Sequence, residues 1–403
     1  MIPFSPPRID QKVIDEVVDT LRSGWITTGR KTRLFEQNLT KYCGNKKTLC
    51  VSSATAGLEL MLRWFGVTEG DEVIVPAFTY CATANVIMHC GAKPVMVDIN
   101  ENDFNISVTK IKEAITEKTK VIMPVDIGGY PCDYDQIYEL VNRSEAKKQF
   151  KPNSEIQKKL NRILILSDAA HSLGAIYRGK KTGCCADITV FSFHAVKNLT
   201  TAEGGAIALN LPFPFDNEDI YHYLSTLALH GQSKDALAKT QLGGWKYDII
   251  EAGYKINMPD ILASIGLVEL FRYDNDSLVK RKSIFDYYNS ELSKYEWAII
   301  PQHFTKEKSS SYHLYQLRIK GLDELTRDLI IQQVNQNRVS VNVHFQPLPL
   351  FSFYKNLGYK IEDYPTAYKN YACEISLPVF YDITPVQMKR VIDILVKAVQ
   401  ELL

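Results

Sequence analysis

The sequence predicts an α/β protein: a large, doubly wound, mostly parallel sheet flanked by helices, followed by a smaller C-terminal α/β unit. Three observations carry this. Between residues 49 and 209, short β-branched apolar runs alternate with segments of helical spacing, the pattern of a parallel sheet covered on both faces. Hydroxyl, acidic and aromatic residues follow directly after the apolar runs, where such sheets bind ligands. The chain has 403 residues, too many for one ordinary core, and divides into residues 1–265 and 266–403.

Residues 10–21 place Val13, Ile14, Val17, Val18 and Leu21 at amphipathic-helix spacing. Ser23-Gly-Trp-Ile-Thr-Thr-Gly29 then reads as a turn with hydroxyl donors and one flat surface, and Trp25 and Thr27 are its substrate-facing candidates. Residues 49–51 form a strand that ends in Ser52-Ser-Ala-Thr-Ala-Gly57 and opens a helix, whose free N–H groups suit a phosphate. Ser and Thr are also ordinary N-caps, so this stretch has two readings. Strands follow at 71–76, 94–98 and 121–125, with helical spacing at 108–118. Phe78 and Tyr80 stand after the first of these strands, Phe78 as packing.

Residues 144–161 hold five lysines and few large apolar side chains, the composition of a solvated surface insertion. Residues 162–168 are a buried strand ending in Asp168, followed by Ala169-Ala-His171. That acid either caps the next segment or pairs with a positively charged ring nitrogen. The run 188–191 leads into Ser192-Phe-His-Ala-Val-Lys-Asn-Leu-Thr-Thr-Ala-Glu-Gly-Gly205, with Lys197 in the turn before a further strand at 206–209. Taken alone, this lysine is equally a surface charge or a Schiff-base lysine kept near neutrality by desolvation. Residues 212–245 read as loops over a helix. Gly253-Tyr-Lys-Ile-Asn-Met-Pro-Asp260 opens an apolar helix at 261–271 that, with the charged run 272–281, joins the two domains. Beyond it lie strands at 313–319 and 341–345 and helices at 323–337 and 385–402.

The bulk properties exclude several classes. Hydrophobic residues are 45% and charged residues 23%, as in soluble globular proteins, and a net charge of +1 leaves no nucleic-acid footprint. No apolar run is long enough for a bilayer, and Met1-Ile-Pro-Phe-Ser lacks the pattern of a signal peptide. Eight scattered cysteines without C-x-x-C spacing predict free thiols in a reducing cytoplasm, and no metal site.

Together, Ser52–Gly57, Tyr80, Asp168-Ala-Ala-His171 and Lys197 resemble the fold-type-I pyridoxal-phosphate enzymes, specifically the DegT/DnrJ/EryC1/StrS family of nucleotide-sugar aminotransferases. The 23–29, 71–80, 91–95 and 253–260 segments and Val343-His-Phe-Gln-Pro-Leu348 extend the resemblance over nearly the whole chain, in the family's order. The resemblance implies that Lys197 bonds pyridoxal 5'-phosphate and shuttles the proton, with pyridoxamine phosphate carrying the amine between half-reactions. It implies Asp168 at the pyridinium nitrogen, Tyr80 and Ala170 on the two ring faces, and His171 near the ring hydroxyl. Thr55 and Ala56, through backbone N–H groups, and the Ser192 hydroxyl are implied for the phosphate. Asn257 is implied to reach the cofactor of the partner subunit, which calls for a homodimer. His344 reads as a structural histidine from the residues and as a substrate neighbour from the resemblance.

The activity implied is amino transfer from glutamate to a keto carbon, C4 ahead of C3, of a nucleotide-linked 4-keto-6-deoxy sugar. Relatives with histidine in place of the lysine are dehydratases; Lys197 is present here. Val196, where many members carry threonine, Pro259 and the length of the 144–161 insertion depart from the pattern.

Overall fold

Seven of the apolar runs form one sheet in the computed structural model, which describes residues 1–234 and 245–403. They are β1 (Lys47–Val51), β2 (Glu72–Pro76), β3 (Lys93–Val97), β4 (Thr119–Ile122), β5 (Leu164–Asp168), β8 (Ile188–Ser192) and β9 (Gly205–Leu209), in the order β1-β9-β8-β5-β4-β2-β3. β6 (Ile176–Tyr177) and β7 (Lys180–Lys181) form a small ribbon beside it. Only β9 runs against its neighbours; β8, β5, β4, β2 and β3 pair in parallel. β9 therefore starts at the edge where the other strands end. Val51 and Ser192 both lie opposite Gly205.

Residues 11–227 supply most of the helices around this sheet. These are α1 (Gln11–Arg22), α2 (Arg30–Cys43), α3 (Ala54–Trp64), α4 (Cys81–His89), α5 (Val108–Ala114), α6 (Tyr134–Asn142), α7 (Ser144–Gln149), α8 (Glu155–Leu160) and α9 (Asn217–Leu227). α3 lies closely on the sheet because residue 57 is glycine. A Cβ there would sit 3.0 Å from Val190 and 3.1 Å from Ile207. The expected loops at 212–245 contain α9, and residues 235–244 lie outside the described residues.

The 144–161 segment is not the solvated insertion expected from its lysines. Those charges face outward, but Phe150 and Leu160 are buried. Asn153 donates to both Asp71 carboxylate oxygens at 2.9 Å, and Ser154 and Gln157 donate to the Phe65 carbonyl at 3.0 and 3.1 Å. The polar residues thus take up the carbonyl ends of α3, which composition alone does not reveal.

The chain leaves the sheet through α10 (Asp260–Arg272), a π turn at Tyr273–Ser277 and α11 (Leu278–Leu292). The division expected at residue 265 falls inside α10, whose Ala263 and Leu270 share a core with Phe35, Phe193 and Met258. A separate core draws on Ile2 and on residues from Ile284 onward. It is built on β10 (Ala298–Ile299), β12 (Tyr315–Ile319) and β13 (Glu374–Leu377), with α11, α12 (Glu324–Gln336) and α15 (Pro385–Leu402), whereas α13 (Ser352–Asn356) and α14 (Pro365–Ala372) send Tyr354, Ala367 and Tyr371 into the core of the main sheet. β11 (Lys308–Ser309) returns to pair with β6. The strand expected at 341–345 is instead an extended segment with a single bridge, Asn342 to Ser376. Its side chains are spent on a cavity rather than on a ladder.

One long-range cap orders the entry to α2. Asp260 is buried, and its carboxylate accepts from the Gly29, Lys31 and Thr32 amides at 2.7, 3.1 and 2.9 Å and from the Thr32 hydroxyl at 2.7 Å. Gly29 itself makes no side-chain cap. Asp260→Ala strands three amide donors in a buried site and is expected to lower the unfolding free energy by about 2 kcal/mol. Urea denaturation of the wild type and the variant measures this.

Candidate active site

The strand ends of the main sheet and the 341–345 segment enclose a cavity of about 480 Å³. Thr55, Tyr80, Asp168, Ala170, His171, Ser192, Lys197 and His344 all line it. Its size suits a small ligand held by a few polar groups.

Asp168 ends β5 and is only 6% exposed. One carboxylate oxygen accepts from the Thr83 hydroxyl at 2.8 Å and the other from the Ala170 amide at 3.2 Å. Thr79 lies 2.9 Å from the Thr83 hydroxyl and completes a chain from α4. Burial raises the Asp168 pKa above the usual carboxylate range, while Thr83, Ala170 and Lys197 pull it back down. The carboxyl thus sits where a fixed positive partner is worth most.

Lys197 occupies the turn between β8 and β9. Its amide donates to the His194 carbonyl at 2.9 Å, and Phe193, Thr200 and Thr201 close the loop beneath it. Desolvation lowers the ammonium to about 8, and the charge of Asp168 opposes that shift. A substantial fraction is therefore free amine, the nucleophilic form, at mildly alkaline pH.

α3 opens against the same cavity. Ser53 caps it by accepting from the Ala56 amide at 3.1 Å. The expected use of the Ala56 N–H for phosphate therefore does not fit, because the serine hydroxyl already occupies that donor. The Ala54 and Thr55 amides have no partner among the described residues and point out of the first turn, beside the Ser192 hydroxyl. Gly205 permits this approach: a Cβ there would lie 2.5 Å from the Ala54 nitrogen.

Tyr80 is 61% exposed over the cavity mouth and has Phe345 at 6.0 Å. His171 accepts from the Gly128 amide through Nδ1 at 3.3 Å, which leaves the proton on Nε2. Its ring is stacked on Phe345 at 5.7 Å and lies 4.4 Å from His313. Burial holds His171 and His313 well below the usual histidine range, and His344 at about 4, with the Lys197 charge adding to each shift. The histidines around the lysine are therefore neutral.

Three expected residues lie elsewhere in the chain. Trp25 is half-buried with its indole N–H on the Thr28 carbonyl at 3.2 Å, and Thr27 is exposed. Asn257 donates to the Thr28 hydroxyl at 2.5 Å and also bonds Lys255. This cluster does not line the cavity of its own chain. Conversely, Phe4, Thr83, His313 and Phe345 belong to the cavity or its walls and were missed. Thr83 was findable as a hydroxyl one helical turn from Thr79 and Tyr80. Phe4 and His313 reach the cavity only through tertiary contacts.

The family model of the DegT/DnrJ/EryC1/StrS aminotransferases matches residues 7–396. The chain belongs to this family. A putative sugar aminotransferase from Streptococcus pneumoniae, solved in its PMP form, superimposes with a TM-score of 0.96 at 48% identity over 100% of both chains. The spore coat polysaccharide biosynthesis protein SpsC of Bacillus subtilis is 34% identical over 97% of this chain and 95% of its own. The UDP-4-amino-4-deoxy-L-arabinose–oxoglutarate aminotransferase of Shewanella sediminis is 34% identical over 97% of this chain and 96% of its own.

This aminotransferase is pyridoxal-phosphate-dependent. The residues present fit that group: two unpartnered helix-end amides with Ser192 for a phosphate, a buried carboxylate for a ring cation, and a desolvated amine for a carbonyl. Among the described residues, no helix is long and apolar enough to cross a membrane.

The lowered Lys197 value has a stability consequence in the cofactor-free protein. The unfolded chain holds this proton up to about 10.5 and the folded one only to about 8. The cost of the buried charge is thus complete below about 8 and disappears as pH rises towards 10.5. Lys197→Met is expected to be more stable than the wild type at pH 7, and the gap is expected to narrow as pH rises through that window. Parallel urea titrations across the window measure it.

Proposed function

We propose that this aminotransferase moves an amino group from glutamate to C4 of a UDP-linked 4-keto-6-deoxy sugar for surface-polysaccharide synthesis. The observation that carries the reading is the pairing, in one cavity, of a lysine lowered to about 8 with a carboxylate only 6% exposed. The activity of the Shewanella relative supports the UDP, C4 and oxoglutarate–glutamate parts. That of the Bacillus relative supports the polysaccharide part. A second cleft of about 760 Å³ shares Thr79, Tyr80, Asn342, His344 and Phe345 with the first, room that favours a substrate larger than a free sugar.

In this reading the cofactor, when bound, supplies an electron sink that stabilises negative charge on the reacting carbon. Asp168 holds the ring nitrogen protonated, and Thr83 and the Ala170 amide keep that carboxylate aimed into the cavity. The Thr55 amide, the Ala54 amide and Ser192 hold the phosphate. Tyr80 and Ala170 flank the ring, and His171 presents its Nε2 proton to an oxygen. Lys197 Nζ takes a proton in one half of the cycle and returns it in the other. We place Trp25, Thr27 and Asn257 across the interface of a cytoplasmic homodimer, serving the partner's cavity. Asn257 is held for that role by Thr28.

The test is incubation of the cofactor-loaded enzyme with glutamate and a panel of 3-keto and 4-keto nucleotide sugars, reading the products by mass. A 4-amino sugar formed one-for-one with 2-oxoglutarate is expected. Amination confined to C3, or none, overturns the reading. Lys197→Ala is expected to reduce turnover by roughly a thousandfold or more, as removal of an acid–base group does.

A further inference from the structure

A buried hydrogen-bonded chain leads away from His344 into the small domain. His344 Nδ1 lies 3.0 Å from the Ser376 hydroxyl, and that hydroxyl donates to Glu374 Oε1 at 2.5 Å. The other carboxylate oxygen, Oε2, accepts from the His344 backbone amide at 3.0 Å. Glu374 and Ser376 are both 0% exposed. They alternate on β13, so both side chains face the 341–345 segment, which the Asn342–Ser376 bridge holds in place. Phe4 stacks on the imidazole at 5.2 Å, and Gln316 donates to the His344 carbonyl at 2.5 Å. The ring is thus fixed from both sides. The ring makes its hydrogen bond through Nδ1, and His344 lines the cavity that contains Lys197, the side left to Nε2.

The hydrogen-bond directions determine the tautomer. With Glu374 ionised, Ser376 donates its proton to the carboxylate, so its oxygen accepts from His344, and the imidazole proton sits on Nδ1. Nε2 then offers a lone pair to the cavity.

We propose that Glu374 is a positioning residue that acts through Ser376 on His344, so that a proton taken up at His344 Nε2 is passed inward to the buried carboxylate. The transfer balances bond by bond. An N–H bond forms at Nε2 as Nδ1–H breaks; the Ser376 oxygen gains that proton as its own O–H breaks; an O–H bond forms at Glu374 Oε1. The imidazole is neutral before and after. Nε2 has changed from hydrogen-bond acceptor to donor, and one negative charge has been neutralised 0% exposed to water. The reverse sequence returns the proton to the cavity.

The surroundings favour such a store. Burial raises Glu374 to about 8, while Ser376, the His344 amide and Arg327 of α12 pull it down. Arg318 of β12 stands opposite Glu374 in the sheet, but its Nη groups donate to the Glu101 and Asn102 carbonyls and to Asn370, and its Nε has no partner among the described residues. Cys373 precedes Glu374 on its own strand. Facing His344 are Lys197 and His171 of the large domain and His313 of the small one, and burial together with the Lys197 charge disfavours a charged imidazole. A carrier that accepts a proton without keeping the charge suits a substrate oxygen that must be deprotonated in one direction and protonated in the other. This use rests on the sugar-aminotransferase reading above.

The experiment uses cofactor-loaded enzyme labelled with nitrogen-15 in its histidines, with the His344 signals assigned by their loss in His344→Gln. In the wild type, the Nδ1–H tautomer is expected well above pH 8 and the Nε2–H tautomer below it. In Glu374→Gln, the His344 amide holds the new carbonyl oxygen, the amide NH₂ donates to Ser376, and the Nε2–H tautomer is expected at every pH. Ser376→Ala breaks the chain and is expected to abolish the pH-dependent exchange, which serves as the second variant should Glu374→Gln fail to fold. An unchanged visible spectrum of the bound cofactor certifies the fold of each variant. The same limb of the pH profile of kcat/KM is expected to vanish in Glu374→Gln. A wild-type tautomer that ignores pH, or one that a folded variant reproduces at each pH, overturns the relay. Failure of the wild type to aminate any keto sugar overturns the function instead and leaves the NMR result standing.

Discussion

A carboxylate and an amine that share one nearly dry cavity are the constraint around which this protein is arranged. Each group pays for its burial alone and is relieved by opposite charge. Asp168 is kept from collapsing onto the lysine by its bonds to Thr83 and the Ala170 amide. Lys197 is held by a loop closed on Phe193. The two act across the cavity that both line, each lowering the cost of the other's charge.

The sheet makes that arrangement rigid. Strands that end together bring Ser52, Tyr80, Asp168 and Ser192 to one edge, and the single reversed strand, β9, begins there. A parallel β9 would need a long crossover, and the chain carrying Lys197 would start from the far side. The tight 193–204 connection is possible because β8 and β9 are antiparallel neighbours. The small domain closes the cavity with side chains rather than strands, and its His313, His344 and Phe345 join His171 of the large domain around the lysine.

Much of this was legible in the sequence, for physical reasons. Period-two and period-3.6 patterns mark the sheet and its helices, because burial on two faces demands them. Residues following apolar runs mark the cavity, because parallel strands end together. Thr55, Tyr80, Asp168, Ala170, His171, Ser192, Lys197 and His344 were all found this way or through the family resemblance. What escaped depends on contacts distant in the chain. Phe4 meets His344 across some 340 residues. The Ala56 amide was misread because a neighbouring serine can satisfy it as well as a phosphate can. The 144–161 segment looked solvated because its lysines outnumber the few polar side chains that anchor it. Trp25, Thr27 and Asn257 form a cluster whose use one chain alone does not display.

The cap on α2 bears on how the protein is made. Thr32 and its carboxylate partner Asp260 are 228 residues apart. At ordinary elongation rates, about ten to forty-five seconds separate their emergence from the ribosome. For that interval α2 has a glycine at its start and no acceptor for its first amides, so its amino-terminal turn is frayed. The loop ahead of it, with Trp25 and Thr27, has no seat until 257–260 arrives. The nascent chain can therefore assemble its central sheet early, yet the loop that carries Trp25 and Thr27 is ordered late.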